Sequence, residues 1–426
     1  MTTSTAQTTI DPGGHAVRRR ARMSRFLRIL IVATGIVHVP VALGVGELLT
    51  RVGAPAPRIA GAAFAAASVA LFLGRARAGM PDRKRNGVLV RLLDIPYFVH
   101  WCAALFAFVP SVVATIVVPV FEWVGGAPVH APMGAYMWSY VLGLVVCGYG
   151  VLVRRRWYRV VERPVWVDGL DPRLEGFRIA HLSDLHIGTL TPRSWGLAWA
   201  ESANRRRPDV AVVTGDMVTS GTDFHADVAD VVGSLRAPDG VFASMGNHDY
   251  FGGDGYPLLS LLRDRGVRVL RNEGCVIDRG GALLWLTAID DTWTRRDDLA
   301  AAMRGRPAGA TTVLLAHDPT RFDAAADSGA QVVLAGHTHG GQIGIPFLTR
   351  FANLGFVYKY GLGFYRYANS VLYVHPGLGT TGPPIRLGVA PEVTILVLRS
   401  ARPSSAPMHD PAGFSSTDAS ASRGRR

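Results

Sequence analysis

Five short runs in this sequence carry side chains that bind metal ions. They are Ser183-Asp184-Leu185-His186, Gly215-Asp216, Gly246-Asn247-His248-Asp249, His317-Asp318 and Gly336-His337-Thr338-His339-Gly340-Gly341-Gln342. The donors they offer are imidazole nitrogens, carboxylate oxygens and one amide oxygen. Such a hard-to-borderline set suits Mn, Fe or Zn better than a metal that prefers thiolates. A carboxylate such as Asp216 can bridge two cations. Two divalent ions a few ångströms apart can hold a phosphoryl group and acidify a water between them. A lone Asp-x-His or Gly-Asp would mean little; five such runs in order supply enough donors for two ions.

Donors so far apart in sequence must be gathered by a fold. From Phe177 onward, short β-branched runs alternate with helical segments. Strands are predicted at 178–183, 209–214, 241–245, 283–289, 312–316, 331–335, 371–374 and 393–398, and helices at 194–206, 226–235 and 257–265. The alternation implies an α/β domain with largely buried sheets. Each of the five donor runs follows a predicted strand. Strand C-termini converge on one sheet edge, where open α/β domains bind ligands.

The ordered string Asp-x-His, Gly-Asp, Gly-Asn-His-Asp, His, Gly-His-x-His resembles the calcineurin-like metallophosphoesterase superfamily, over roughly residues 165–400. Gly-His-Thr-His-Gly-Gly-Gln, Ala316-His317-Asp318-Pro319, Gly377-Leu378-Gly379 and Ile385-Arg386 look like its bacterial membrane-associated branch, which includes UDP-2,3-diacylglucosamine pyrophosphatase-like phosphodiesterases. The resemblance implies a four-layer αββα fold and two divalent metal ions. It assigns Asp184, His186 and His339 to one ion, Asn247, His317 and His337 to the other, and Asp216 to both. His248 would act as proton donor or charge stabiliser, a role suited to imidazole, with a metal-bridging hydroxide as nucleophile and no covalent intermediate. Asp249, Asp318 and His375 are candidate supporting residues. Many members carry an Asp three residues after the bridging one to orient the catalytic His. Here that position is Thr219, so His248 would lean on Asp249, another group or nothing.

The rest of the chain has a different character. Mean hydropathy over the 426 residues is +0.20. Apolar stretches near 26–49, 59–74, 95–120 and 133–153 approach or exceed the ~20 residues that cross a bilayer. Residues 1–163 hold 19 Lys and Arg against 6 Asp and Glu, while residues 164–426 hold 26 of each sign, so the whole net charge of +13 lies in the apolar part. Its arginines cluster before the first stretch, between the second and third, and after the fourth. Because positive flanks stay cytoplasmic, the reading is four spans with the catalytic part in the cytoplasm, at the cell membrane. A secretory signal is the competing reading; the first stretch is too long for one, and three more follow.

The expected organisation is a basic segment (1–25), a transmembrane domain (26–153), a basic linker (154–164), a metallophosphoesterase domain (165–400) and a disordered Ser/Ala/Pro/Gly tail (401–426). His38, Glu47, Asp94 and His100 lie in or near the spans and are expected to face the bundle interior or the interface. Trp195, Trp199 and Trp293 are expected in core packing rather than in an acyl-chain groove. Cys102, Cys147 and Cys275 form no CxxC pair, which argues against a zinc-thiolate site or a disulfide framework. The expected function is membrane-anchored hydrolysis of a phosphomonoester, phosphodiester or pyrophosphate, with the lipid bilayer and a phosphorylated small-molecule or lipid substrate as partners. A nuclease or nucleotide phosphodiesterase, and a membrane sensor keeping the fold for binding, are the alternatives. A charge-neutral globular half speaks against nucleic acid as partner. Oligomeric state is not legible.

Overall fold

The computed structural model describes residues 12–78, 82–85, 87–125, 132–344 and 358–400. The expected disordered tail at 401–426 lies outside the described residues. The chain forms two compact units, Met1–Gly79 with Val99–Cys147, and Met80–Phe98 with Gly148–Arg426.

The first unit is helical. Among the described residues, four helical stretches are long and apolar enough to cross a membrane, the third beginning and the fourth ending in the second unit: Arg28–Arg51, Pro57–Arg75, Gly87–Val120 and Gly134–Arg154. They belong to α1 (Pro12–Arg51), α2 (Pro57–Ala78), the short α3 (Gly87–Leu89) running on through a π-helical turn into α4 (Ile95–Gly125), and α5 (Pro132–Tyr149). Of the four ionisable residues expected at the interior or interface, His38 is fully buried and its Nε2 lies 3.1 Å from His100 Nε2. His38 Nδ1 meets the Thr34 carbonyl at 2.7 Å, and His100 Nδ1 meets the Tyr140 hydroxyl at 2.7 Å. Ring nitrogens in an apolar bundle need such partners, because an unpaired buried polar group costs several kcal/mol. Glu47 pairs with Arg51 on α1, and Asp94, in the second unit, pairs with Arg85 at 2.6 Å.

The second unit holds two mixed six-stranded sheets. Sheet one has the order β1 (Arg159–Val167), β12 (Glu392–Ser400), β2 (Arg178–Leu182), β3 (Val210–Thr214), β4 (Val241–Ser244), β5 (Val267–Val269). Sheet two has the order β10 (Gly363–Tyr367), β11 (Ser370–Val374), β9 (Val332–Ala335), β8 (Thr311–Leu315), β7 (Ala282–Ala288), β6 (Glu273–Arg279). Strands β2 to β5 are parallel, as are β7, β8, β9 and β11; β12 runs antiparallel to β2 and parallel to β1. Alternate side chains of each strand feed different cores, as the pleat requires. Ile179, Val210, Val212, Leu284, Val313 and Leu334 pack between the sheets. Ala180, Leu182, Ala211 and Val213 face α6 (Arg193–Asn204), α7 (His225–Val232) and α8 (Tyr256–Asp264). On the outer side of sheet two, Leu314, Val333 and Leu372 pack on Phe322 and Ala325 of α10 (Phe322–Asp327). The layers are therefore helix, sheet, sheet, helix.

The eight expected strands are present with ends shifted by one or two residues. Four more were not expected: β1, β5, β6 and β10. In particular, Arg159–Val167 is a strand, so the sheet starts inside the stretch expected as a basic linker at 154–164. Its charges are used in place: Arg159 and Arg163 meet Glu392 of β12 at 2.9 and 3.6 Å, and Glu162 meets Arg178 of β2 at 2.7 Å.

Candidate metal centre

The five donor runs occupy the loops after β2, β3, β4, β8 and β9, at one end of both sheets. The loops are tied to one another by backbone bonds. Asp184 N–H donates to the Gly215 carbonyl at 3.1 Å, His186 N–H to Asp216 at 3.0 Å, and Gly336 N–H to His317 at 3.0 Å. Asp184, His186, Asp216, His337 and His339 all hold positive φ, between 44° and 70°. Non-glycine residues rarely adopt this left-handed region, and such strain, about 1–3 kcal/mol per residue, concentrates at functional sites. Close approach is bought with glycine: a methyl on Gly336 would strike Ser183 Oγ and Asp184 Oδ2, and one on Gly246 would strike Asp216 Oδ1.

Among the described residues three donor groups result: Asp184 with His186 and His339, His186 with Asp216 and His248, and Asp216 with His317 and His337. His186 Nε2 and His339 Nε2 stand 3.0 Å apart, and His337 Nδ1 and His317 Nε2 stand 3.2 Å apart. Asp216 Oδ2 lies between these pairs, 3.6 Å from His186 Nε2 and 3.3 Å from His317 Nε2. Asn247 is buried, and its Oδ1 has no hydrogen-bond partner. A buried orphan acceptor calls for an explanation such as an ion. The paired nitrogens, the shared carboxylate and the orphan oxygen fit two divalent cations.

Charge reinforces this. Burial pushes His186 and His339 well below the ordinary histidine range, leaving neutral rings with free lone pairs. Burial also lowers His337, to about 4. It raises Asp184 to about 6. Burial opposes ionisation of Asp216, but the His317 and His248 rings outweigh it and hold the carboxyl well below its usual range. For His317 burial again opposes the charge, and the Asp216 and Asp184 carboxylates overcome it.

His248 sits at the rim. Its Nδ1 donates to the Thr219 carbonyl at 2.6 Å, and its backbone N–H donates to Asp216 Oδ1 at 2.9 Å. Its Nε2 faces the centre, 4.0 Å from Asp216 Oδ2 and 3.5 Å from Thr381 Oγ1. Position 219 thus orients the ring through its backbone. The neighbouring Asp249 does something else: its carboxylate accepts the N–H groups of Met217, Val218 and Gly246, joining the loops after β3 and β4. Asp318 accepts the Thr320 N–H and caps the turn before α10. His375 is fully buried, packs on His181 at 4.9 Å between ring centroids, and accepts the Gly377 N–H; it is absent from all three donor groups. Asp290 accepts the Tyr250 hydroxyl, and Asp291 the Thr294 N–H.

Other residues at the site were given no role by sequence. Arg386 is fully buried, donates to the Gly379 and Pro376 carbonyls, and has Nη2 3.3 Å from His339 Nδ1. The Ile385-Arg386 run was the available signal. Gln342 and Thr381 exchange hydrogen bonds at 2.8 and 3.0 Å beside His248. Of the three tryptophans expected in core packing, Trp199 is buried and Trp195 packs against the helix-side core, but Trp293 is 64% exposed, 5.6 Å from the His337 ring. It lies on the turn after β7, whose end carries it to the donor edge. Phe251, 43% exposed, lies 4.4 Å from the His248 ring.

Comparison with known proteins matches residues 177–341 to the model of the calcineurin-like phosphoesterase family. A transmembrane protein with metallophosphoesterase domain from Danio rerio is 30% identical over 274 residues, 61% of this chain and 62% of that protein. The chain thus spans less than two thirds of that relative's length. An uncharacterized metallophosphoesterase of Aquifex aeolicus is 30% identical over 235 residues, 54% of this chain and 87% of its own. YkuE of Bacillus subtilis, also an uncharacterized metallophosphoesterase, is 27% identical over 256 residues, 59% of this chain and 90% of its own.

Proposed function

This chain belongs to the metallophosphoesterase family, and on that premise we propose that it is a membrane-anchored, dinuclear phosphoester hydrolase working at the cytoplasmic face of the cell membrane. The observation that carries the reading is Asp216 Oδ2, shared between the His186 and His317 sides of the centre. Asp184, His186 and His339 would hold one cation, Asn247, His317 and His337 the other, with Asp216 common to both. The cations would supply charge neutralisation for the phosphoryl oxygens and a water acidified for in-line attack.

The chain's own residues do the rest. Accepting His248 Nδ1–H at the Thr219 carbonyl fixes the tautomer, so Nε2 is the atom that exchanges a proton with the leaving oxygen. Phe251 and Trp293 give two apolar walls beside His248 and His337, suited to a substrate with an apolar or ring-bearing leaving group. A lipid-linked phosphodiester or pyrophosphate such as UDP-diacylglucosamine meets that description.

The orientation rests on charge and on one contact. Asp82, between the second and third spans, donates its N–H to Ser220 at 2.9 Å. Residues 82 and 154 then share a side of the bilayer, as they do when both intervening helices cross. The arginine clusters favour the cytoplasm for that side. The domain organisation proposed is a basic segment to residue 25, spans to 153, and the catalytic domain ending near 400, with its first strand already at 159.

The test is turnover by purified full-length protein with Mn²⁺. The panel comprises an aryl phosphomonoester, an aryl phosphodiester, a lipid phosphate and a nucleotide-lipid pyrophosphate. Hydrolysis that falls about 10²-fold in His248→Ala, the usual scale for a lost acid–base group, is the expected result. A chain that binds metal and cleaves none of the four would sink the proposal.

A further inference from the structure

The segment between the second and third spans reaches the donor edge. Asp82 is buried, and its carboxylate accepts the Thr189 N–H at 2.9 Å and the Thr189 hydroxyl at 2.6 Å. Its own N–H meets Ser220 Oγ at 2.9 Å. The Thr189 hydroxyl also reaches the Arg83 carbonyl at 2.8 Å. Lys84 secures the segment: its N–H meets Asp223 at 3.2 Å, its ammonium lies 3.1 Å from Asp227, and it sits over the Phe224 ring.

The two loops that Asp82 joins are those that set His248. Thr189 lies three residues beyond His186, and Ser220 follows Thr219, whose carbonyl holds His248 Nδ1. Thr219 Oγ1 also donates to the His186 carbonyl at 2.8 Å. A methyl placed on Gly188 would strike Thr219 Oγ1 and Asp82 Oδ2 together, so these two oxygens flank one point of backbone. Asp82 thus brings a carboxylate to the Thr189 and Gly188 backbone, beside the Thr219 side chain.

We propose that Asp82 is a positioning residue for His248, supplied by the segment between the second and third spans, acting through Thr189 and Ser220 on the 219–220 backbone. The inference rests on the hydrolase reading above for its kinetic consequence, but the docking it describes does not. Asp82→Ala removes two acceptors for Thr189. Asp82→Asn keeps the Thr189 N–H bond, and its amide can donate to the Thr189 hydroxyl, which then donates to the Arg83 carbonyl.

The experiment uses the full chain in micelles with Mn²⁺ and an aryl phosphodiester. Asp82→Ala is expected to lower kcat about tenfold, the scale of a catalytic group displaced by a fraction of an ångström, with KM and metal content within about twofold. Asp82→Asn should stay within about threefold of wild type. In a His248→Ala background, Asp82→Ala should cost nothing further, because the group it positions is gone. Hydrogen exchange at 186–190 and 216–221 should rise in Asp82→Ala. An equal kcat loss with and without His248 would assign Asp82 a merely structural role and overturn the proposal. Exchange unchanged at both loops would overturn it even in a chain that hydrolyses none of the panel.

Discussion

Gly336→Ala isolates the geometry of one half of the centre. The added methyl lands on Ser183 Oγ and Asp184 Oδ2, with Ser183 Cβ at 3.0 Å. The serine yields more readily: its hydroxyl bonds the Thr214 carbonyl at 3.0 Å, a neutral bond worth about 1 kcal/mol, and also meets the Asp184 carboxylate. Asp184 cannot move as cheaply. Both its oxygens face the His337 N–H, at 3.0 and 3.2 Å, and a bond to a charged group contributes about 1.5–3 kcal/mol. If about 2 kcal/mol of the displacement is expressed as lost binding, affinity for the cation that Asp184, His186 and His339 are proposed to hold should fall about thirtyfold. Affinity for the cation proposed for Asn247, His317 and His337 should weaken only several-fold, through Asp216 and the His337 backbone. Mn²⁺ titration followed by calorimetry reads both sites. Gly309→Ala is the control: its φ is +74° with open space around it, so it costs about 1 kcal/mol of backbone strain and no metal affinity. Two wild-type affinities in Gly336→Ala, or equal losses at both sites, would refute the reasoning.

Other perturbations separate other parts of the argument. Asn247→Ala removes the orphan amide oxygen and should lower turnover about 10²-fold at micromolar Mn²⁺, with partial recovery at millimolar Mn²⁺; turnover that ignores Mn²⁺ concentration would remove Asn247 from the centre. Trp293→Ala should raise KM about tenfold for a lipid-linked substrate and leave a small aryl phosphate unchanged; equal effects on both would make Trp293 a general support. Burial holds His181 at about 3, below its unfolded value of 6.5, so the unfolded chain binds the extra proton first. His181 therefore contributes stability above pH 6.5 that is lost as pH falls towards 3, at up to about 1.4 kcal/mol per pH unit. Denaturant unfolding at pH 7 and 5 should show a shallower pH dependence in His181→Asn, and an unchanged slope would contradict the assignment.

The strands that sequence revealed and those it hid divide by position. β2, β3, β4, β7, β8, β9, β11 and β12 are the inner strands, flanked on both sides, and their continuous apolar runs are legible. The four that were missed, β1, β5, β6 and β10, are the four sheet edges. An edge strand can carry charge and proline, and β1 carries Arg159, Glu162, Arg163 and Pro164, which read as a linker. The donors were legible because they follow the inner strands at short, fixed offsets. The partner of His248 was not, because it is a backbone carbonyl, which leaves no mark on residue type. The places of Arg386, noted only as part of a motif, and of Trp293 were hidden for a related reason: each reaches the centre through a loop whose path depends on tertiary packing.

The place of β12 has a consequence for how the protein is made. It is the last strand among the described residues, yet it lies between β1 and β2, paired with β1 along nine residues from Arg159↔Glu392 to Val167↔Ser400. During synthesis β1 leaves the ribosome soon after the fourth apolar helix and finds no neighbour until residue 400 has been made. Until then both β1 and β2 present open edges, the kind of surface that invites pairing with other chains, and their closure waits on contacts of long sequence separation that form slowly. A nascent chain stopped before Glu392 would have every candidate donor from Asp184 to His339 and an unfinished sheet beneath them. Synthesis through residue 400 is thus built into assembly of the centre, and products that stop before Glu392 should be substrates for proteolysis.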